Sequence, residues 1–499
     1  MVKEDEKLTY NIAIIGGGIT GACAASTLLS LIKKTEQNNE VKIRIDLFDQ
    51  GRSGVGGRSS HRIRKIKEEE LVVLRWDHGC QFFRADTPRF QKLVREWIKD
   101  GIVEEWKGTF VRDENNDDDN NNDTLVDFFG LPSQPPFYVG VDGMNALQKH
   151  LLSINNTTMN NNNNDDNILR VYEGQRVSNV QRCSNNTTKW TLYGTTGEAA
   201  YHDAKESIAQ IAVAQPLGRT TEYDAVITTD ISSSFETWHR ASAGLPSSFT
   251  QNVRRRAGSR TPLFVCMIAF EDSLPGVDVD AATFQSHDKV WFVARMCSKP
   301  GITKAAADCW TVVSTPQYAM RLIKETPMQD PITGEFIPQQ TDYLETVPGA
   351  QLEKAFRQIV LQGRLRKSKT TSEIEPPLPK TIFLDAQRWG SALPAARHLT
   401  TTSKTQQVLS NVVYDFCSKT TFAPTTNQQQ PPPDNNDTTT TKEEEEEVLN
   451  FVADTEQMLF QAGDMVSTYT PGFEGAALSG IDVAEYIFHN HVLPSSLSS

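Results

Sequence analysis

The chain's most constraining feature is a short apolar run, Tyr10 to Ile15 (YNIAII), that leads without a break into GGGITG. A run of that length suits a strand buried on both faces, and Ala22 to Ile32 (ACAASTLLSLI) then reads as a helix of small residues. Gly16, Gly18 and Gly21 thus satisfy GxGxxG between a strand and a helix. The first glycine makes the tight turn, the second lets backbone approach a pyrophosphate, and the third brings the helix close to the strand. Unpaired N–H groups at the helix start then meet phosphate charge. The pattern alone also suits a plain glycine-rich turn, so its neighbours decide.

Those neighbours favour a dinucleotide. Val41 to Asp49 (VKIRIDLFD) alternates Val41, Ile43, Ile45 and Leu47 against Lys42, Arg44 and Asp46, which predicts a strand with one polar face. Asp49 ends it in the position of a carboxylate for ribose hydroxyls, 28 residues past Gly21 where roughly 20 is usual; the polar KKTEQNNE turn takes up the difference. GRSGVGGRSS follows, with Gly56, Gly57 and Arg58. A second glycine pair and an arginine just past the ribose acid exceed what a nicotinamide site requires, and suggest a longer, flavin-bearing dinucleotide across the crevice. At the far end, Gln457 to Ala462 (QMLFQA) predicts a strand running into Gly463 and Asp464. TPGFEGAALSGIDVAEYIF then predicts a helix with Leu478, Ile481, Ala484 and Phe488 on one face. Gly475, Ala476, Ala477, Ser479 and Gly480 crowd its start, which either admits a flat group to the N–H groups there or packs the helix on a sheet.

At 499 residues the chain exceeds one ordinary core and suits two domains. Its 38% hydrophobic content is lean, which places part of the length outside any core. That part is 113–123, 155–167 and 427–447, polar runs read as disordered low-complexity inserts. They hold 15 acids and one lysine, and without them the formal charge moves from -13 to about +1. The acidity therefore belongs to solvated inserts, the rest is near neutral, and a nucleic-acid partner is disfavoured. No run approaches about 18 uninterrupted apolar residues, and MVKEDEKLTYNI lacks the features of a signal or transit peptide, so no membrane anchor is expected. The seven cysteines show no CxxC or paired spacing, which points to a reducing, cytoplasmic setting. The Asn-x-Thr triplets at Asn155, Asn156, Asn185 and Asn186 read as low-complexity noise. There is no GxSxG, no HExxH and no metal-type grouping of the nine histidines.

GGGITG, DQGRSGVGGR, WDHGCQFF at 76–83, FYVGVDGMNALQKHL at 137–151, CSKPG at 297–301, QRWGSALP at 387–394 and GDMVSTYTPGFEGAALSG at 463–480 stand in one consistent order. Together they resemble renalase-like flavoproteins, a branch of the amine-oxidase class of FAD-dependent oxidoreductases, over most of the chain outside the inserts. The resemblance implies an α/β, p-hydroxybenzoate-hydroxylase-like fold: a Rossmann-type FAD domain assembled from separate segments, and an α+β substrate domain with a mixed sheet. The FAD domain is assigned to 1–75, 142–235 and 455–499, the substrate domain to 76–141 and 236–454. Within the first, NALQKHLL is helical, ILRVYEGQRVSNVQ and KWTLYGTTG are strand-like, and YDAVITTD is a buried strand. The second takes strands from PLFVCMIAFE and KVWFVARM, with WTVVSTP between two helical stretches, the later being TVPGAQLEKAFRQIVLQ. Residues 199–222 are an extra insertion without an assignment.

The resemblance also implies roles. Asp464 takes a ribityl hydroxyl, Gly475 and Ala476 present N–H groups to the pyrimidine end of the flavin, and Asp49 with Arg58 holds the ribose and phosphate of the adenine half. Gly16, Gly18, Gly21, Gly56, Gly57 and Val177 complete the cofactor set. No cysteine follows Gly463, so the FAD is expected to be non-covalent. Hydride transfer to flavin needs no nucleophile. His78 and Gln81 are candidates at the reacting end, His78 as a turn shaping the flavin's edge more than as a base, and Cys80 is a small buried residue more than a thiolate. Arg388 and Trp389, with Arg295 and Lys299, form a cationic and stacking set suited to a nicotinamide ring or its phosphates; otherwise Trp389 is core and the arginines are solvated. MCSKPGI stands where the family tends to show DSSKPGR, QRW where it shows HRW, and Pro471, Gly472, Phe473 and Glu474 replace GRVE, so the departures fall on the substrate pocket.

The expected activity is oxidation of a small molecule, a dihydronicotinamide isomer, with oxygen as acceptor and no metal. The alternatives are an amine oxidase, and a non-catalytic flavin-binding protein whose inserts are partner-binding arms.

Overall fold

The computed structural model describes residues 9–35, 42–51, 54–67, 71–113, 136–153, 167–183, 188–196, 214–258, 260–284, 287–302, 307–327, 342–366, 377–394 and 449–493. The expected inserts at 114–123, 155–166 and 427–447, residues 199–213 and Cys417 lie outside the described residues. Asp113, expected within the first insert, instead closes a strand, Phe110–Asp113, that pairs with Ala281–Phe284.

The opening motif folds as its spacing predicts. Strand β1 (Thr9–Ile15) runs into helix α1 (Ile19–Thr35) and then strand β2 (Lys42–Asp49). β1 lies between β2 and Ala225–Thr228, all parallel; Leu169–Glu173 extends the sheet beyond β2, and Leu459–Gln461 extends it on the other side. Antiparallel Val452–Asp454 forms the far edge. The strand order turns back at β1, so a crevice opens at its carboxyl end. α1 starts three residues earlier than expected, which puts Gly21 in its first turn, where a Cβ would fall on the Gly16 carbonyl oxygen. The helix Phe473–Ile487 packs against α1 just as closely: a Cβ at Gly480 would fall on the Thr20 carbonyl oxygen.

One sequence expectation fails on β2. Its polar face is not solvated at Asp46, which is buried, ion-paired to Arg219 Nε at 2.8 Å and accepting a 2.7 Å hydrogen bond from the Tyr223 hydroxyl. The reason is a second sheet of Gln175–Arg182, Trp190–Thr196 and Gln215–Pro216, whose Val177, Val180, Trp190 and Leu192 share a core with Ile15 and Phe48. ILRVYEGQRVSNVQ therefore serves two sheets, and the chain changes from one to the other at Gly174, in the left-handed region at φ +68°.

The third layer is a six-stranded sheet in the order Thr381–Pro394, Arg260–Phe270, Asp308–Ser314, Val290–Arg295, Ala281–Phe284, Phe110–Asp113. Helices Pro316–Glu325 and Ala350–Leu361 cover one face, and both follow Asp308–Ser314, so WTVVSTP precedes the two helices instead of separating them. Thr315 starts the first: its hydroxyl accepts from Tyr318 N, with Pro316 in the first turn. The hairpin His61–Lys67/Leu71–Asp77 lies on the opposite face, where Trp76 donates to the Ile268 carbonyl at 3.1 Å and stacks on Phe383. Met296 and Ile302, two of the departures expected in the substrate pocket, instead fill a small core with Leu74, Trp76 and Met267. Among the described residues, no helix is long and apolar enough to cross a membrane.

Candidate dinucleotide-binding site

A cavity of about 900 Å³ begins at the carboxyl ends of the parallel strands and reaches the inner face of the six-stranded sheet. Its first end is the glycine turn. Gly16 holds φ +109°, and a Cβ there would meet Thr229 Oγ1 at 2.6 Å. Gly18 differs: a Cβ would find nothing nearer than the Gly56 carbonyl oxygen at 4.0 Å, so its missing side chain leaves space on the cavity side. Asp49, nearly buried at the end of β2, accepts from Gly17 N at 2.8 Å and Gly51 N at 2.7 Å. Burial raises its carboxyl above the usual carboxylate range against these two bonds. Each oxygen keeps a lone pair for a ligand hydroxyl. Gly56, at φ +151°, donates to the Gly17 carbonyl at 3.0 Å, which joins the two glycine segments. Gly57 also lines the cavity, as does Val177 from the antiparallel sheet.

Midway along, Arg58 and Asp464 form a two-pronged ion pair: Nη1 to Oδ2 at 2.9 Å, with Nη2 against Oδ1, while Nη1 also reaches the Ala392 carbonyl at 3.3 Å. The sequence assigned these residues to opposite halves of a cofactor, and the structure brings them to the same point of the cavity. Arg58 neutralises Asp464, which is otherwise a buried carboxylate.

Gly475 and Ala476 also line the cavity, at the start of the C-terminal helix. The preceding Gly472 adopts φ +131°. Glu474 lines the cavity as well, with its carboxylate held by backbone. Its carboxylate accepts from Asp86 N at 2.7 Å and Thr87 N at 3.0 Å, at the start of helix Pro88–Lys99. Gly475 is required by the fold itself, because a Cβ would fall on the Thr470 carbonyl oxygen.

At the far end stand His78 and Trp389. Their rings stack with centroids 5.7 Å apart and 14° between planes, and Trp389 Nε1 donates to the His78 carbonyl at 2.6 Å. Burial, followed by the charge of Arg62, lowers the His78 imidazole to about 3, so it is neutral at ordinary pH and cannot gain by holding a proton. Cys80 also lines the cavity, and burial pushes its thiol up to about 12, which keeps it protonated.

Besides Gly21, whose place is in the packing of α1 on Gly16, four expected site residues do not reach this space. Arg388 lies opposite Phe264, on the face of the sheet turned to the helices, because alternation puts it on the far side from Trp389. Arg295 is held by Asp308 at 2.8 and 2.9 Å. Lys299 and Gln81 are buried together: Lys299 Nζ donates to Asp77 Oδ2 and the Gln81 carbonyl, both at 2.8 Å, and to Gln81 Oε1 at 3.2 Å. Gln81 Nε2 donates in turn to the Asp77 and Gly79 carbonyls. Asp77 Oδ1 takes His61 Nδ1–H at 2.8 Å and Met144 N at 2.9 Å. Burial raises the Asp77 carboxyl, but the Lys299 charge and the His61 bond outweigh it and hold the group well below the usual carboxylate range. WDHGCQFF, YVGVDGM and SKPG thus converge on one buried ion network behind the cavity wall.

Besides Arg58, the cavity presents cations that the sequence did not single out. Arg62 and Arg64 line it from the hairpin that follows the second glycine pair. Arg62 bonds Asp385 at 2.7 Å and Gln387 at 3.0 Å. The two-residue step of a strand beginning at His61 was the available signal.

Residues 14–97 match the family described as an NAD(P)-binding Rossmann-like domain. The chain carries a Rossmann-like dinucleotide-binding domain. Among solved structures, putrescine oxidase bound to putrescine aligns with 97% of this chain and 100% of its own, at 11% identity and a TM-score of 0.46. A triple mutant from a redesign of that enzyme's cofactor binding aligns with 97% and 99% of the two chains, at 11% identity and a TM-score of 0.47. No residue role passes between chains at that identity.

Proposed function

We propose that the protein is an FAD-dependent oxidoreductase that takes a hydride from a small substrate in the cavity and passes the electrons to oxygen. The observation that carries this reading is the continuity of one cavity from the Gly18 turn, past Arg58 and Asp464, to Trp389 on the second sheet. A dinucleotide seated on the glycine turn would extend toward that sheet. The residues fit the group: Gly18 leaves a cradle that a side chain would fill, Asp49 keeps acceptor capacity, and Gly475 and Ala476 bring a helix start to the cavity.

Gly16 and Gly18 with the start of α1 would hold the pyrophosphate, Asp49 a ribose, and Arg58 with Asp464 the middle of the cofactor. Val177 would wall the adenine side, and Gly475 and Ala476 would face the opposite end. Bound there, FAD would supply the two-electron chemistry; the protein's share is to bind, orient and exclude water. Neutral His78 and Trp389 make a rigid wall at the substrate end. The protonated Cys80 supports non-covalent binding, and a cytoplasmic setting agrees with the cysteine pattern. The segments expected from the sequence are kept for the two domains, with two additions to the cofactor domain: strand Val452–Asp454, which edges the parallel sheet, and helix Ser247–Ala257, whose Phe249 and Val253 share a core with Val180.

The substrate class that suits the reading is a dihydronicotinamide isomer; an amine is the second reading, favoured if the apolar walls Phe82, Phe83 and Phe473 take an alkyl chain. Anaerobic titration of the yellow protein with reduced nicotinamide isomers and with mono- and polyamines tests both. Rapid bleaching by the isomers supports the first, bleaching by amines alone replaces it with the second, and a colourless protein that cannot be reconstituted with FAD ends both.

A further inference from the structure

Part of the cavity's rim is made by two segments that lie 388 residues apart in the chain. Arg84, Asp86 and Thr87 line it on one side, and Tyr469, Thr470 and Phe473 on the other. Asp86 and Thr470 are also exposed, so the cavity reaches solvent here. The first side begins at a fixed point. Phe83 bridges Tyr138 through its N–H at 2.9 Å and its carbonyl at 2.8 Å, and its ring stacks on Phe473 with centroids 4.3 Å apart. Past Phe83 the support changes from backbone to side chains. The Asp86 and Thr87 amides, just ahead of helix Pro88–Lys99, both donate to the Glu474 carboxylate. Glu474 also stands in the first turn of its own helix, so the starts of two helices share one carboxylate. Arg89 adds an outer tie: Nη2 reaches Glu485 at 3.1 Å, and Nη1 pairs with Asp482, whose second oxygen accepts from the Tyr469 hydroxyl at 2.8 Å. Arg89 and Glu485 keep 42% and 47% of their side chains exposed, and pairs of that kind are weak singly and screened by salt. The opposite side is close-packed, since Gly475 lies against the Thr470 carbonyl.

We propose that Arg84–Thr87 and the first turn of helix Pro88–Lys99 form a flap at the cavity mouth, with Glu474 as its latch and Arg89 as its outer tie, and that small molecules enter when the flap lifts. The inference goes beyond the oxidoreductase reading and holds for this cavity whatever it binds. Both ties join a segment assigned to the substrate domain to one assigned to the cofactor domain, so lifting the flap needs neither core to break.

Cys80 lines the cavity further in and reports the opening. The test treats the full chain with N-ethylmaleimide, a small neutral reagent, reads labelling of Cys80 by peptide mass spectrometry, and follows amide exchange over residues 83–90 in parallel. Glu474→Gln is expected to speed Cys80 labelling about five-fold or more, the equivalent of one charge-assisted bond. Arg89→Gln should speed it roughly two- to four-fold, and Arg89→Lys, which keeps the charge, by less. Raising salt to about 0.5 M should bring the natural protein toward Arg89→Gln while changing that variant little. Exchange should quicken at residues 83–90 and stay unchanged in β1. Labelling and exchange at natural rates in both variants, or exchange that rises as much in β1 as at the rim, would overturn the flap. If Glu474→Gln does not fold, Arg89→Gln decides alone, because its side chain is on the surface. Neither readout needs turnover or a flavin, so the oxidoreductase reading and this one can fail separately.

Discussion

Two groups of charged residues lie on either side of the loop from Asp77 to Gln81, and they are built on opposite terms. On the inner side, Asp77 and Lys299 are both almost inaccessible and fully committed to one another, Gln81, His61 and the Met144 amide. On the cavity side, Arg58 keeps 35% of its side chain exposed although paired, and Arg64 has no ion pair among the described residues. A buried pair of this kind specifies structure, because removing either member strands the other in a low-dielectric interior. A half-solvated cation can exchange its contacts for those of a ligand. Motif residues with inviting chemistry can therefore belong to the first group, and residues outside any motif to the second.

The largest effect should separate the groups outright. Lys299→Met removes the buried charge that balances Asp77, and should destabilise the fold by about 3–5 kcal/mol, measured by chemical denaturation. Arg64→Gln should shift the same midpoint by less than about 0.5 kcal/mol. Similar losses in the two variants would erase the distinction.

Gly18→Val should abolish flavin retention while leaving the melting temperature within a few degrees, because its Cβ meets no protein atom closer than 4.0 Å. Gly21→Val should instead unfold the motif by driving the side chain onto the Gly16 carbonyl. A Gly18 variant that stays yellow would mean the turn holds no pyrophosphate.

A smaller effect concerns pH. His78 is neutral in the fold down to about 3 because of burial, whereas an unfolded histidine titrates near about 6.5. Its contribution is complete above the unfolded value and is lost as pH falls from there toward 3, where the unfolded chain binds the extra proton. His78→Gln should remove up to one proton from the slope of stability against pH in that window. An unchanged slope would mean that His78 is solvated.

The smallest expected change is in Glu474→Gln, whose single oxygen can accept from only one of Asp86 N and Thr87 N, and which should cost about 1–2 kcal/mol near neutral pH. A change in flavin potential without that loss of stability would place the carboxylate nearer the ligand than these bonds allow.

What could be read from the sequence follows the range of the interactions. The β1–α1 turn, Asp49 and the C-terminal helix were legible because each is written in consecutive residues whose spacing carries the geometry. Lys299 was misread as a substrate cation because its partner Asp77 lies 222 residues away. Arg388 was misread because facing depends on which side of a strand meets the cavity, and only the pairing of Trp389 with Leu263 fixes that. Asp46 looked solvated until the second sheet, of Gln175–Arg182, Trp190–Thr196 and Gln215–Pro216, was folded over it.

The contribution of the C-terminal segment bears on how the molecule can be made. Residues 449–493 supply the Leu459–Gln461 strand, Asp464 and the helix that seats on Thr20. A ribosome delivers the glycine turn well before the turn's supporting helix and the partner of Arg58, which arrive more than 400 residues later. During synthesis the nascent cofactor domain is therefore an unfinished sheet with an uncovered α1 and an unpaired Arg58, and ligand capture becomes one of the last events of folding.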